Sequence, residues 1–205
     1  MRASKRKTAI AVLAFLASAD AWADQRAVPA LNPSLPQPGS AFEEVSKIKL
    51  DQGQRLVCDS DTDKPKLANP ALMEHQGGRS PVRVRRCSVF APGGDAGWVQ
   101  ATVPSLAGPA RLWLTFVEQG TGGRLRLAQL SLWAKRDGWD KVAKAMTDLQ
   151  GASLAASDRF LIWQDDQYET TMFADEKNPD EFAIAIGDTR LRRLLKSPGT
   201  FSRPE

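Results

Sequence analysis

The sequence Arg111-Leu-Trp-Leu-Thr-Phe-Val-Glu118 has the aromatic and β-branched composition that is typical of a β-strand. Side chains alternate between the two faces of a strand, so one face carries Leu112, Leu114 and Phe116 and the other carries Trp113, Thr115 and Val117. Because both faces are largely apolar, the pattern predicts a central strand covered on both sides, or on one side and part of the other. Three glycines within residues 119–123 then predict a hairpin turn, since glycine tolerates positive φ.

Residues 124–134 predict the returning strand of this hairpin. The apolar positions change parity after Ala128, from Leu125 and Leu127 to Leu130 and Leu132. A strand cannot change parity unless an extra residue is inserted, so we expect a β-bulge near Ala128-Gln129. The alternative is a strand covered on both faces, for which parity matters less.

An amphipathic helix is predicted directly after the hairpin, with Asp137 as its N-cap and Gly151 at its end. Apolar residues recur there at helical spacing, namely Trp139, Val142, Ala143, Met146 and Leu149. This stripe needs an apolar surface to cover, and the preceding hairpin offers one. We therefore expect the helix and the hairpin to enclose the core.

Further strands are predicted on both sides of this unit, at residues 47–50, 54–58, 81–90, 98–103, 159–163, 168–173 and 182–186. A short C-terminal helix follows, capped by Asp188 and bearing Leu191, Leu194 and Leu195, and it ends at residues 197–199. Hairpins dominate, and no repeat of strand, long crossover and strand is present. The order predicts an α+β fold, in which an antiparallel sheet of hairpins carries the central amphipathic helix and the short C-terminal helix on one face.

Residues 1–23 have the organisation of a secretory signal peptide. A basic start precedes a short apolar run, and Ala21-Trp-Ala23 forms a cleavage signal. The run is shorter than the roughly 20 residues that span a bilayer, so we expect no membrane span after cleavage. The four prolines of residues 24–46 indicate a flexible, poorly packed leader. We expect residues 47–205 to form a single α+β domain.

Cleavage of the signal peptide would change the charge balance. Residues 1–23 hold four of the 28 Lys and Arg residues and one of the 24 Asp and Glu residues, which leaves 24 basic and 23 acidic residues. A formal charge of +1 for the remaining chain gives no reason to expect a nucleic-acid partner.

Cys58 and Cys87 are the two cysteines of the chain. An exported protein with an even number of cysteines tends to pair them, so we expect a disulfide that closes a loop of roughly 30 residues. Two buried thiols are the alternative. A catalytic thiol is disfavoured, because His75, the single histidine, sits in a polar loop with no evident nucleophile or orienting partner beside it.

Asp59, Asp61 and Asp63 have the spacing that opens a calcium-binding loop. The EF-hand pattern also requires glycine at its sixth position and glutamate at its twelfth, where this chain has Lys64 and Pro70. We therefore predict a solvated acidic loop, with a calcium site as the alternative, and we expect no metal and no other cofactor. One histidine and two paired cysteines leave too few ligands for zinc.

Two groups of arginines could recognise carboxylates or phosphates through paired hydrogen bonds. The first comprises Arg79, Arg83, Arg85 and Arg86, and the second comprises Arg190, Arg192 and Arg193. The alternative is that both are only solvated surface. Five tryptophans follow the signal peptide, at strand and helix spacing that favours the core. Trp133 stands apart, because the predicted bulge turns it away from the helix-covered face.

No catalytic constellation is apparent. Adjacent acids such as Asp165-Asp166 fall in turns, whereas a glycosidase pair needs carboxyls that face each other across a cleft. The common motifs of serine hydrolases, zinc proteases and phosphate-binding loops are missing from the sequence. We therefore predict an exported soluble binding domain whose partner is another protein of the bacterial envelope, as is the case for inhibitor and immunity proteins.

The predicted contact residues of this binding domain are Arg83, Arg85, Gln119, Gly120 and Trp133. Two alternatives remain open. One is an envelope enzyme with an unrecognised carboxylate site, and the other is an accessory of a secretion or assembly machine that docks through the proline-rich segment.

Overall fold

The computed structural model describes residue 28 and residues 31–74, 82–120 and 123–195. The predicted signal peptide, His75, Arg79 and the predicted helix end at residues 197–199 lie outside these ranges, so they stay predictions.

The described residues form the following elements in chain order: α1 (Phe42–Val45), β1 (Arg55–Cys58), a 3₁₀ turn (Pro70–Met73), β2 (Val84–Pro92), a 3₁₀ turn (Gly94–Ala96), β3 (Trp98–Gln100), β4 (Thr102–Val103), β5 (Ala110–Gln119), β6 (Arg124–Lys135), a 3₁₀ turn (Arg136–Gly138), α2 (Trp139–Gln150), β7 (Ala155–Ala156), β8 (Phe160–Gln164), β9 (Tyr168–Ala174), β10 (Glu181–Asp188) and α3 (Thr189–Leu195). The strands form one sheet in the order β1-β2-β5-β6-β10-β9-β8-β7, with β3 beside β2 and β4 beside β5. Every pairing between these strands is antiparallel, which confirms the predicted antiparallel sheet and the α+β class.

One face of the sheet, here called face one, carries the main core. Direct cross-strand partners form its rows: Leu112, Leu132, Ile184, Met172 and Leu161 in one, and Leu114, Leu130, Ile186, Thr170 and Trp163 in the next. The predicted stripe of α2 covers this face, because Trp139, Val142 and Met146 are buried in the same cluster. Burying an apolar side chain of this size stabilises the fold by about 1.5–3 kcal/mol relative to leaving it exposed.

The predicted bulge lies at Ala128. Phe116 pairs with Leu127 and Thr115 pairs with Gln129, so Ala128 has no partner on β5 and the register shifts there. The extra residue keeps the leucines on both sides of the bulge in the main core. Ala128 itself packs on the other side of the sheet.

The C-terminal helix differs from the prediction that both helices share one face. Leu191 and Leu195 of α3 form a separate cluster with Val117 and Ala128. Val117 alternates with Phe116, which belongs to the main core, so α3 packs on the opposite side of the sheet, here called face two. A leucine stripe fits any apolar surface, so the sequence pattern could not decide between the faces.

The N-terminal segment corrects the prediction of a poorly packed leader for residues 31–46. Leu31, Leu35 and Val45 are buried in the main core. The ring of Phe42 meets that of Phe116 edge-on, with 5.1 Å between the ring centroids. The packed domain therefore begins before residue 47.

The backbone of residues 39–41 also extends the sheet beside β6, beyond the end of β10. Gly39 N donates to Leu127 O at 2.7 Å, and Leu127 N donates to Ser40 O at 2.9 Å. The pairing of β10 with β6 ends at Gly187 and Gln129. Residues 39 and 40 therefore supply the hydrogen-bond partners for the backbone N–H and C=O of Leu127, which β10 does not reach.

Local boundaries also depart from the sequence prediction. Residues 47–50 form no strand, although Ile48 and Leu50 pack against the main core. The predicted strand at 98–103 is divided into β3 and β4. Asp137 is not the N-cap of α2, since that position is Gly138 and no side chain caps it. Gly151 ends the helix as predicted, with a φ of 81°.

Cys58 and Cys87 form the predicted disulfide. They are direct partners on β1 and β2, with 4.0 Å between their Cα atoms, and both lie in the main core. A structural disulfide is typical of proteins that fold outside the reducing cytoplasm. None of the helices in the described residues combines the length and the apolarity needed to cross a lipid bilayer.

Candidate functional site

The structure brings three of the predicted contact residues together at the tip of the β5–β6 hairpin. Gln119 pairs with Arg124 at the end of the ladder, and Gly120 follows with a φ of 73°. Arg83 joins them, because Glu118 N donates to Arg83 O at 3.0 Å. Arg83, Gln119 and Gly120 are all exposed, so they form one solvent-facing end of the sheet.

Arg85 does not offer a free cation at this tip. Its Nη2 lies 2.5 Å from Asp61 Oδ1, and both side chains are mostly buried. Its guanidinium carbon lies 4.1 Å from the centre of the Phe42 ring, so the cation also rests on the aromatic face. Arg85 therefore joins Asp61, in the loop that follows Cys58, to Phe42 of α1. These contacts stabilise the fold and leave the guanidinium unavailable for a partner.

Each acid of the calcium-like motif has its own partner. Asp59 Oδ1 accepts a hydrogen bond from Arg86 N at 3.1 Å, and Asp61 Oδ2 accepts one from Cys58 N at 2.8 Å. Asp63 pairs with Arg55 at 2.8 Å. The hydrogen bond from Arg55, and then its charge, hold the pKa of Asp63 below its ordinary value.

Lys64 places an ammonium group within the loop that would have to bind calcium. It stands at the position of the EF-hand glycine, and its Nζ donates to Asp59 O at 2.5 Å and to Met73 O at 3.4 Å. An ammonium group so placed repels a second cation. Within residues 31–74, 82–120 and 123–195, no three His, Cys, Asp or Glu side chains are arranged to hold a metal ion. Asp59 is buried and the Asp61 side chain mostly so, which corrects the prediction of a solvated loop for these two residues, whereas Asp63 is exposed. The geometry favours a hydrogen-bonded structural loop over the calcium alternative.

Carboxylates elsewhere in the described chain shape turns. Asp175 is buried, and its Oδ1 accepts from Lys177 N at 2.9 Å. Asp165 Oδ1 accepts from the backbone nitrogens of Gln167 and Tyr168, at 2.7 and 2.6 Å. Such bonds mimic a backbone turn, so these acids give no support to the enzyme alternative.

Trp133 lies far from the hairpin tip and on face two. It pairs with Arg111 on β5 and Ala183 on β10. Arg111 and Gln119 are eight positions apart on β5, which is about 27 Å at the rise of an extended strand. The half-buried indole meets the ring of Phe173 edge-on, with 5.7 Å between centroids. The predicted contact residues therefore do not form one site.

Trp133 belongs to a row of cross-strand partners on face two, formed by Trp133, Ala183, Phe173 and Phe160. The next row is Ser131, Ala185, Thr171 and Ile162. These two rows are here called the open face. None of their residues belongs to the clusters that α2 and α3 form. Trp133 packs, partly buried, against the cluster around Phe90 and Trp113, and Phe160 at the other end of its row is 37% exposed.

Ion pairs border the open face near both ends of its strands. Arg111 Nη2 lies 2.5 Å from Glu181 Oε2 at one end. Arg192 pairs with Glu169 at the other, and its side chain lies so close over Gly187 that a Cβ there would overlap it. Because these charges neutralise each other, a partner can dehydrate the open face without leaving them unpaired.

Sequence reasoning missed Phe160 and Phe173. Alternation within residues 159–163 and 168–173 does indicate which side chains share a face of each strand. It does not show that β8 and β9 lie beside β10, or that β10 lies beside β6. Only those neighbours bring the two phenylalanines into line with Trp133.

Arg86 lies on the opposite face of the sheet from its neighbour Arg85. It faces away from Arg85, and its guanidinium carbon lies 4.8 Å from the centre of the Trp113 ring. Burial lowers the pKa of Arg86 by disfavouring its charged form, and the charge of Asp59 opposes that effect. Arg86 is thus part of the packing on face two.

Comparisons of the chain with known protein families, with curated proteins and with solved structures found no match.

Proposed function

We propose that the protein is exported and acts by binding another protein of the bacterial envelope, with the open face as its docking surface. The observation that carries the proposal is the aromatic row of Trp133, Phe173 and Phe160, which shares no core cluster with α2 or α3. The row runs from Trp133, which is partly buried against the cluster around Phe90 and Trp113, to Phe160, which is 37% exposed. Contiguous apolar surface on a soluble protein commonly marks an interaction site.

The chemistry of the row suits a protein partner. Tryptophan is enriched among the residues that dominate the binding energy of protein interfaces. Trp133 and Phe173 already hold each other edge-on, so little side-chain freedom remains to be lost on docking.

The export part of the proposal has separate support. Residues 1–23 carry the signal-peptide pattern, and the Cys58–Cys87 disulfide suits an oxidising compartment.

Affinity capture from a periplasmic extract tests the proposal, with the chain from residue 24 onward as bait. Phe160→Glu places a charge at the exposed end of the row, and we expect it to lower the yield of the captured protein about tenfold or more. Leu154→Glu is the matched control, because Leu154 is 69% exposed and lies outside the open face. It should capture the protein as the unaltered chain does.

Two results would contradict the proposal. One is equal capture by both variants, and the other is recovery of a small molecule in place of a protein.

A further inference from the structure

Arginines from three distant parts of the chain lie toward the hairpin-tip end of the molecule. Arg83 precedes β2, and Arg124 begins β6 opposite Gln119. Arg190 and Arg193 lie on α3, which packs against Val117 and Ala128 near the same end. The four arginines are here called the arginine end.

These four side chains are exposed, and within the described residues none of them forms an ion pair. Arg190 and Arg193 are three residues apart, a spacing that makes side chains neighbours on a helix surface. Leu191 and Leu195 hold the helix to the sheet. Arg190 and Arg193 therefore extend from a helix whose position on the sheet is fixed by packing.

The carboxylates near these arginines are those of Glu118, Asp188 and the Asp165-Asp166 turn, whose Gln167 O accepts from Thr189 N at 2.8 Å. Among the described residues they form no ion pair with the four arginines. Asp188 is engaged as the cap of α3, where its Oδ1 accepts from the backbone nitrogens of Arg190 and Leu191 at 2.9 Å each. Glu118, the acid of the hairpin tip, folds back against Gly123. The two exposed glutamates of α1 lie on the side of the sheet where Phe42 packs on Phe116, which is the side of Arg83 and is opposite to α3.

We infer that the arginine end recognises an acidic protein surface. A guanidinium group presents a planar fork that pairs with a carboxylate through two hydrogen bonds. Exposed charges at the rim of an interface speed association and select complementary partners. This contact uses residues outside the open face, so it goes beyond the proposed function and can fail separately from it.

An acidic protein fits this end better than a membrane surface. The large apolar side chains that are exposed in the described residues are Val99, Leu154 and Phe160, which belong to other parts of the fold. Peripheral membrane binding usually adds apolar insertion to electrostatic attraction. The cations are also spread over a loop, a hairpin and a helix, which suits the separate carboxylates of a protein rim.

Charge reversal with a matched control tests this inference. The first variant is Arg124→Glu/Arg190→Glu/Arg193→Glu. The control is Lys135→Glu/Lys141→Glu/Arg159→Glu, which changes the net charge equally at three exposed cations elsewhere. Circular dichroism and urea unfolding establish that both variants are folded.

The probe is a fluorescent decaglutamate peptide, with binding followed by anisotropy at low ionic strength. We expect the association constant to fall about tenfold in the first variant and by less than about twofold in the control. Phe160→Glu should bind the peptide like the unaltered chain, which separates failure of this inference from failure of the open-face proposal.

Equal losses in the two triple variants would overturn the inference, as would no binding of the peptide. So would tighter binding to polyphosphate, or to vesicles of phosphatidylglycerol and phosphatidylcholine in equal parts, than to the peptide.

Discussion

Asp61 illustrates how a residue that resembles a metal ligand is used by the fold. Its two carboxylate oxygens accept from Cys58 N and from Arg85. It therefore joins the end of β1 to a cation that also contacts Phe42. The sequence predicted a solvated acidic loop and left calcium as the alternative, because the spacing alone could not show that Arg85 and Arg86 arrive from β2.

We expect Asp61→Ala to lower the free energy of unfolding by about 2 kcal/mol, because it leaves the mostly buried Arg85 without its carboxylate. Urea unfolding measures the change. Asp63→Ala is the control, since its ion pair with Arg55 is much more exposed and exposed pairs contribute little. Equal effects of the two substitutions would contradict the structural role of Asp61.

Residues whose roles depend on local rules were predictable. Cys58 and Cys87 could be paired from their number and the expected compartment. Arg85 and Arg86 could not be distinguished, because adjacent strand residues point to opposite faces and only the packed fold shows what lies on each.

At the scale of elements, the β5–β6 hairpin, its bulge and α2 could be predicted because each depends on neighbours in the sequence. The bulge was detectable from a change of apolar parity, which is a local signal. The position of α3 and the packing of the N-terminal segment depend on strands far away in the chain. The proline content of residues 24–46 favoured a poorly packed leader. The apolar residues Leu31, Leu35 and Val45, which are buried in the main core, pointed to packing instead.

Removal of the N-terminal segment should unfold or strongly destabilise the domain. A chain that begins at Lys47 lacks the four buried core residues Val28, Leu31, Leu35 and Val45, and we expect its free energy of unfolding to fall by about 5 kcal/mol or more. Urea unfolding followed by tryptophan fluorescence provides the measurement. A chain that begins at Val28 keeps these residues and should unfold like the longer one.

An unchanged urea midpoint in the shorter chain would show that the segment is dispensable. The same deletion cannot by itself test the idea that the segment docks an assembly machine, because loss of the core would also abolish docking.

At the scale of the whole molecule, the two faces of the sheet differ in how they are covered. Face one is closed by α2 and the N-terminal segment. Face two carries a cluster around Phe90 and Trp113 that includes Met73 of the first 3₁₀ turn, the surface under α3, and the open face, whose Trp133 packs against the first of these. The sequence predicted Trp133 as a contact residue, but only the strand order reveals the row to which it belongs.

Site-specific photocrosslinking in producing cells tests the docking role of the open face most directly. A benzoyl-phenylalanine replaces either Phe160, in the open face, or Leu154, which is more exposed but lies outside it. The open-face proposal predicts a covalent adduct with one envelope protein from position 160 and none from position 154. No adduct from position 160, or the same adduct from both positions, would contradict it.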